Sequence, residues 1–382
     1  MNRSWLRDIR EQLEGASQQV PLAAISLTGY PDADEEMDSF LAVLRTCDTV
    51  KSIFFTTLFL MQLEEENAVR FLECLGTTAI EELRIQSSSR FHIEIIPVDA
   101  LLALRQATFL KRIEFQDMQV TASDPDFIAA LCRILDGHPT LEEVILPNFF
   151  ANDYTNTDAD ILDELILTCA AMPVLRTFEL TGCGSHALNG QCVRMVSPDA
   201  LRTILSTSQT LTRLHLSFLE FKDDHFEALI GQLARNTTLT NLALDYHHLD
   251  RAGFKSIMLA MEDNTSIKSL SLRSLRDIGL DGFAQVMLML QYNFNIETLS
   301  VTSSPSQQAE IDLYLRMNAA GRGKLRDPSV TMNEWIEILA RHSDDIDVSR
   351  NLLKEVPGLC NVGTFVASER RRRSSLASSP YY

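Results

Sequence analysis

Four segments spaced by 28, 28 and 29 residues share one apolar pattern, and no other feature of this 382-residue chain limits its fold as strongly. They read Leu211-Thr-Arg-Leu214-His-Leu216, Leu239-Thr-Asn-Leu242-Ala-Leu244, Ile267-Lys-Ser-Leu270-Ser-Leu272 and Ile296-Glu-Thr-Leu299-Ser-Val301. Three further columns keep register with them: Phe226, Phe254 and Phe283; Leu233, Met261 and Leu290; Asn236, Asn264 and Asn293. In the third copy all three columns shift together by one residue, as a single insertion requires. Read backwards, the triplet recurs as Leu175/Phe178/Leu180, Leu141/Val144/Leu146, Leu110/Ile113/Phe115, Ile80/Leu83/Ile85, Val50/Ile53/Phe55 and Leu22/Ile25/Leu27. That makes ten copies; the phase of the first six is free to slide, so the last four carry most of the argument.

Within each copy the last two apolar positions alternate with polar ones, as a short strand with one buried face requires. Residues 252–262 set Phe254, Ile257, Met258 and Met261 at helical spacing, which makes an amphipathic helix. One strand and one helix of this size cannot bury both apolar faces alone, so neighbouring copies must stack. The expected fold is an α/β, right-handed solenoid of about ten repeats over residues 20–304, with strands inside a curve and helices outside.

On these residues the chain resembles the ribonuclease-inhibitor-like class of leucine-rich repeats, whose copies hold a strand and a full helix. That class places Asn or Cys eight residues past the first Leu to close the turn after the strand. Here the position holds Leu219, His247 and Leu275, and only Cys183 conforms. The resemblance therefore implies a horseshoe from which most of that side-chain ladder is missing.

Solenoid ends expose apolar edges and need caps. Residues 1–19 supply one, with Trp5, Leu6, Ile9 and Leu13 on one helical face. Residues 305–360 supply the other, with helices predicted at 310–317 and 331–340. The capping box Thr331-Met-Asn-Glu334 opens the second, and Trp335, Ile336 and Leu339 are expected to seal the last repeat. The stretches Glu310-Ile-Asp-Leu-Tyr-Leu-Arg-Met-Asn-Ala-Ala-Gly-Arg-Gly-Lys, Glu334-Trp-Ile-Glu-Ile-Leu and 352–360 resemble the C-terminal segment of leucine-rich-repeat proteins of diatoms and related algae, a likeness that implies no activity. Residues 361–382 lose all periodicity, and we expect a disordered basic tail. Within it Arg372-Arg373-Ser374-Ser375-Leu376 resembles a basophilic-kinase site, which makes Ser375 a candidate phosphorylation site beside the plainer reading of a solvated tail.

Function has fewer signals. With 34 Lys and Arg against 52 Asp and Glu the net charge is −18, which argues against nucleic acid and anionic lipid as ligands. The most apolar run, residues 53–63, is too short to cross a bilayer, and the charged N-terminus does not read as a signal peptide. Seven cysteines, an odd number without a CxxC pair, read as reduced thiols of a cytoplasmic or nuclear protein.

Catalytic constellations each meet a simpler account. Asp245, His247, His248 and Asp250 could suggest a metal site, but no further ligand pattern accompanies them, so no metal or cofactor is expected. Gly321-Arg-Gly-Lys324 lacks the arrangement of a phosphate loop, and His225 beside Asp223 and Asp224 reads as a helix start. No Gly-x-Ser-x-Gly or HExxH occurs, so no enzyme is expected.

What remains is the outward face of the strands, with Glu82, Arg84, Arg112, Glu114, Glu143, Glu179, Arg213, His215, Asp245 and Arg273, and with Phe218 and Tyr246 just past two neighbouring strands. Mixed charge with aromatic anchors suits a protein-binding surface. Glu143, Glu179, Arg213, His215, Phe218, Asp245, Tyr246 and Arg273 are the candidate contacts of a protein partner, taken by a monomeric scaffold. The two longest copies place extra residues near 151–158 and 182–197, where binding loops or neutral insertions are equally expected. The alternative function is regulation of a nucleotide hydrolase: the chain also resembles the leucine-rich-repeat activators of Ran-type GTPases, although those carry acidic tails. Ubiquitin-ligase adaptors are disfavoured, since only about 20 residues precede the first copy.

Overall fold

A computed structural model of the chain describes residues 5–16, 23–28, 36–87, 96, 98–118, 120, 125–150, 159–182, 196–219, 221, 223–247, 249–273, 278–324 and 329–355. The strands are β1 (Ala24–Leu27), β2 (Ser52–Thr56), β3 (Glu82–Gln86), β4 (Arg112–Gln116), β5 (Glu143–Phe150), β6 (Thr177–Gly182), β7 (Arg213–Ser217), β8 (Asn241–Ala243), β9 (Ser269–Leu272) and β10 (Thr298–Val301). The helices are α1 (Trp5–Ala16), α2 (Met37–Thr46), α3 (Thr57–Met61), α4 (Glu65–Thr77), α5 (Val98–Leu101), α6 (Pro125–Leu135), α7 (Ala159–Ala171), α8 (Pro198–Thr207), α9 (Asp223–Leu233), α10 (Arg251–Asp263), α11 (Gly279–Tyr292), α12 (Pro305–Ala319), α13 (Met332–Arg341) and α14 (Ile346–Glu355).

The strands form one open parallel sheet in sequence order, alternating with helices as a solenoid requires. Register tests the repeat directly. The middle apolar residue of every triplet stacks on its neighbour, from Ile25, Ile53, Leu83, Ile113 and Val144 to Phe178, Leu214, Leu242, Leu270 and Leu299. All ten copies are thereby fixed, including the six whose phase the sequence left free. These residues are buried, while alternate positions such as Arg213 and His215 lie on the opposite face.

The helices start and bury as their sequences dictate. Asp250 accepts the N–H of Gly253 at 2.6 Å to open α10, which then buries Phe254, Ile257, Met258 and Met261. Ser197 caps α8 in the same way, with Pro198 in its first turn. The third copy departs from the pattern. Its helix is one turn, α5, followed by a 3-10 stretch, Leu102–Gln106. This stretch lies so close to α4 that a Cβ on Gly76 would sit 2.4 Å from the Ala103 carbonyl oxygen.

The turn entering each later strand is stitched by asparagine. Asn264 donates to the carbonyls of Leu233 (2.6 Å) and Asn236 (3.2 Å) in the previous copy and accepts the N–H groups of Ser266 (3.0 Å) and Ile267 (2.8 Å) in its own. Asn293 repeats the arrangement on Met261, Asn264, Asn295 and Ile296, and Asn236 reaches back to Leu205 at 2.8 Å. A side-chain ladder therefore exists, but before the strands rather than after them. On the far side His247 stands in for the missing residue, its ring nitrogens against the carbonyls of Leu219 and Leu216. Leu275 and Cys183 lie outside the described residues.

At the N-terminal end Ile9 and Leu13 of α1 join the main core, as expected; the side chains of Trp5 and Leu6 lie outside the described residues. At the other end the expectation needs correction. The main core stops at Ile311 and Leu315 of α12, and Trp335 belongs to a second, small core with Met317, Ala320, Ile338, Val348 and Leu352. Ile336 is exposed, and Ile338 takes the buried position, because α13 packs on α12 and α14 rather than on the last repeat. The predicted capping box is present, with Thr331 N–H donating to Glu334 at 2.8 Å. Among the described residues no helix is long and apolar enough to cross a membrane, and Cys47, Cys74, Cys132 and Cys169 are free thiols.

Candidate functional site

The polar face of the sheet is built from alternate strand residues, because the other alternates are consumed by the core. Its first part, on β3 to β5, is an ion-pair chain. Arg84 meets Glu114 at 3.1 Å, and Arg112 joins Glu114 (2.9 Å) to Glu143 (2.8 Å). Glu143 is thus tied into the wall rather than free.

Next comes a shallow depression of about 310 Å³ across β4 to β9. Glu143, Glu179, Arg213 and His215 border it, and its floor includes Ile145, Ala243 and Ser271. His215 lies 3.5 Å from Glu179 and bonds Ser217 at 2.7 Å, whereas no ion pair holds the exposed Arg213 among the described residues. The floor residues were not picked out from the sequence. They are small or neutral, and their outward strand position is the only signal they give.

The third part lies at the C-terminal ends of β7 to β9. Asp245 is buried, and its carboxylate accepts from the Arg273 guanidinium at 2.7 and 3.0 Å, the Arg273 backbone N–H at 2.8 Å and the Ser271 hydroxyl at 2.7 Å. Its bond to Asp245 holds Arg273 above the usual guanidinium range. Asp245 therefore positions Arg273 and presents little surface of its own. The guanidinium lies over the Tyr246 ring, 5.7 Å from its centre, and Tyr246 stacks on Phe218 at 4.3 Å with planes 12° apart.

Phe218 and Tyr246 both adopt left-handed backbone conformations, φ 56° and 61°. The equivalent residues of the fourth and fifth copies, Asp117 and Asn148, do so as well, at φ 57° and 48°. This conformation turns the chain out of the strand, and the ladder continues through it: Phe218 N–H donates to the Asp245 carbonyl and Tyr246 N–H to that of Arg273, at 3.1 and 2.7 Å. The eight candidate residues thus lie along one face, in a mixed-charge region on β5 to β7 and an aromatic shelf past β7 and β8. The loop residues 151–158 and 183–195 and the tail with Ser375 lie outside the described residues.

The remaining chemistry-bearing residues serve the fold. His247 is buried, and burial pushes it down to about 4. It stacks on Phe221 (4.0 Å), whose other neighbour is the buried His225 (5.5 Å). Asp250 caps α10, His248 lies outside the described residues, and among those described no group of three or more His, Cys, Asp or Glu is placed to hold a metal. In Gly321-Arg-Gly-Lys324 the buried Arg322 donates to the Leu290 carbonyl (2.6 Å) at the end of α11, pairs with Glu355 (2.7 Å) and packs over Phe294 and Tyr314. A cation on the terminal carbonyls of a helix is a favourable cap.

No protein-family model matches the chain, and no curated relative does. Among solved structures it is similar to the actin-binding site 2 of leiomodin-1, at 17% identity over 45% of this chain and 95% of that one, with a TM-score of 0.36. It is also similar to a protein from Bacteroides fragilis, at 11% identity over 76% of this chain and 77% of that one, with a TM-score of 0.42.

Proposed function

We propose that this protein is a non-enzymatic scaffold that binds a partner protein on its polar strand face, the concave wall of a ribonuclease-inhibitor-like horseshoe. The observation that carries this reading is the Phe218–Tyr246 stack. A bulky residue in a left-handed conformation costs on the order of 1–3 kcal/mol, a cost that Asp and Asn largely avoid. Earlier copies place Asp117 and Asn148 there, and the later pair places two large rings. Selection for stability alone favours Asn or Gly at both sites. The rings are half-buried, stacked and backed by Arg273, which makes them pre-ordered anchors of the type that dominate interface energies. Glu143, Glu179, Arg213 and His215 then form a polar rim, and the net charge of −18 disfavours nucleic acid and anionic lipid as the partner.

The test is affinity capture from a source-cell lysate with wild type and a variant carrying alanine at Arg213, His215, Phe218 and Tyr246, both shown folded by circular dichroism. We expect a protein retained by the first and lost by the second. Equal retention by both overturns the strand-face reading.

A further inference from the structure

The aromatic stack has two unlike ends. At one end the Arg273 guanidinium covers Tyr246, fixed there by the buried Asp245. At the other end stands Phe218, with Tyr246 against one face of its ring. Thr181 and Ser217 are register partners, so the residue beside Phe218 in the preceding copy is Gly182. Gly182 cannot carry a side chain, because a Cβ there would lie 2.7 Å from the Phe218 carbonyl oxygen. The sixth copy therefore offers nothing to the second face of a half-buried ring.

We propose that this second face receives an arginine side chain of the partner protein, completing a column of guanidinium, Phe218, Tyr246 and Arg273. The inference rests on the partner-binding reading above and specifies its chemistry. An aromatic face attracts a cation through its quadrupole, and the planar guanidinium stacks on it where a compact ammonium does not. The molecule already uses this contact at the Tyr246 end. Charge selects a cation over a neutral flat group. The chain carries a net charge of −18, and the Asp117 carboxylate, in the same row three strands away, accepts only from the neutral amides of Gln86 (3.2 Å) and Asn148 (2.9 Å) among the described residues. Glu179 faces the same side three residues before Gly182. Of the opposing cations, Arg273 is neutralised by Asp245, His215 sits against Glu179, and Arg213 lies at the far end of β7.

The experiment titrates the full chain, labelled with 13C-phenylalanine, with the blocked peptide acetyl-Gly-Arg-Gly-amide and with its citrulline and tryptophan counterparts. Phe218→Leu identifies the Phe218 resonance. The expected result is a saturable shift of that resonance by the arginine peptide, weakened by salt, with the uncharged citrulline peptide bound about tenfold more weakly. Equal effects of arginine and citrulline, a shift by the tryptophan peptide alone, or no shift by any peptide overturns the proposal. The wild-type comparison of arginine with citrulline stands even where Phe218→Leu does not fold. The capture experiment reports separately: a partner lost by the four-site variant with no arginine effect removes this inference and leaves the scaffold reading in place.

Discussion

The last four copies and the middle ones solve the same stacking problem with different interactions. In the last four, the turn into each strand is closed by Asn236, Asn264 and Asn293, and Asn318 continues the row into the cap with bonds to the carbonyls of Asn293 (3.2 Å) and Ile296 (2.9 Å). In the middle copies the same position holds His138, Met172 and Ser208. His138 makes one long contact to the Leu104 carbonyl, at 3.4 Å, and the Ser208 hydroxyl is buried without a partner. The middle is instead packed with aromatic rings, Phe115, Phe127, Phe149 and Phe150, in mostly edge-on contacts. Asparagine stitching needs the same geometry between every pair of copies, and spacings of 28, 28 and 29 residues supply it. Apolar packing is non-directional and tolerates the irregular spacings of 34 and 36.

The contrast predicts different responses to truncation. Phe149→Ala removes a fully buried ring from contact with Phe127 and Phe150, and we expect a loss of about 4 kcal/mol in urea unfolding. Asn264→Ala orphans two carbonyls and two N–H groups at a buried turn, for a loss of about 3 kcal/mol. Hydrogen exchange separates the two: the Asn264 variant loses protection at Ser266 and Ile267, and the Phe149 variant loses it across β4 to β6. A smaller loss at Asn264 than at an exposed asparagine would break the comparison.

Acid provides a third test. His247 is held neutral by burial, with a folded value of about 4 against about 6.5 unfolded. Above pH 6.5 both states are neutral there and the residue adds no pH dependence. Between pH 6.5 and 4 only the unfolded chain takes up the proton, so stability falls with acid by up to about 3 kcal/mol, and below pH 4 the term is constant. The stability of His247→Gln should be flatter over that window, and parallel curves for variant and wild type would refute the assignment. Burial depresses His138 as well, so a His138 variant should flatten the curve in the same direction. The smallest effect has the opposite sign. Ser208→Ala removes an unpaired buried hydroxyl and should raise stability by about 1 kcal/mol, where the corresponding change at Asn264 lowers it.

Periodicity made the repeat legible because a one-residue shift moves every strand side chain to the wrong face. All ten triplets consequently appear in register, even those with irregular spacing. The short helix of the third copy was not legible, since the apolar residues Leu101 and Leu104 suit either a full helix or one turn and a 3-10 stretch. Trp335 was recognisable as a sealing residue but not its target, because α12 has two apolar faces and only packing assigns each to a core. Of the candidate site, outward strand positions followed from alternation. That Asp245 is buried beneath Arg273, and that Phe218 and Tyr246 share a left-handed conformation and stack, did not.

The sequence by itself determined what depends on local order: strand and helix alternation, the number of copies, the faces of each element and the caps at Thr331 and Asp250. These follow from spacing along one chain. The tertiary structure decided what depends on contact between copies: the asparagine row, the reach of His247 to two carbonyls of the preceding copy, the pinning of α11 by Arg322 and the bare face of Phe218 beside Gly182. Each joins residues some 28 to 36 positions apart through side-chain directions and backbone approach. A repeat pattern fixes which residues become neighbours, but the distance and angle between them depend on how tightly the copies pack.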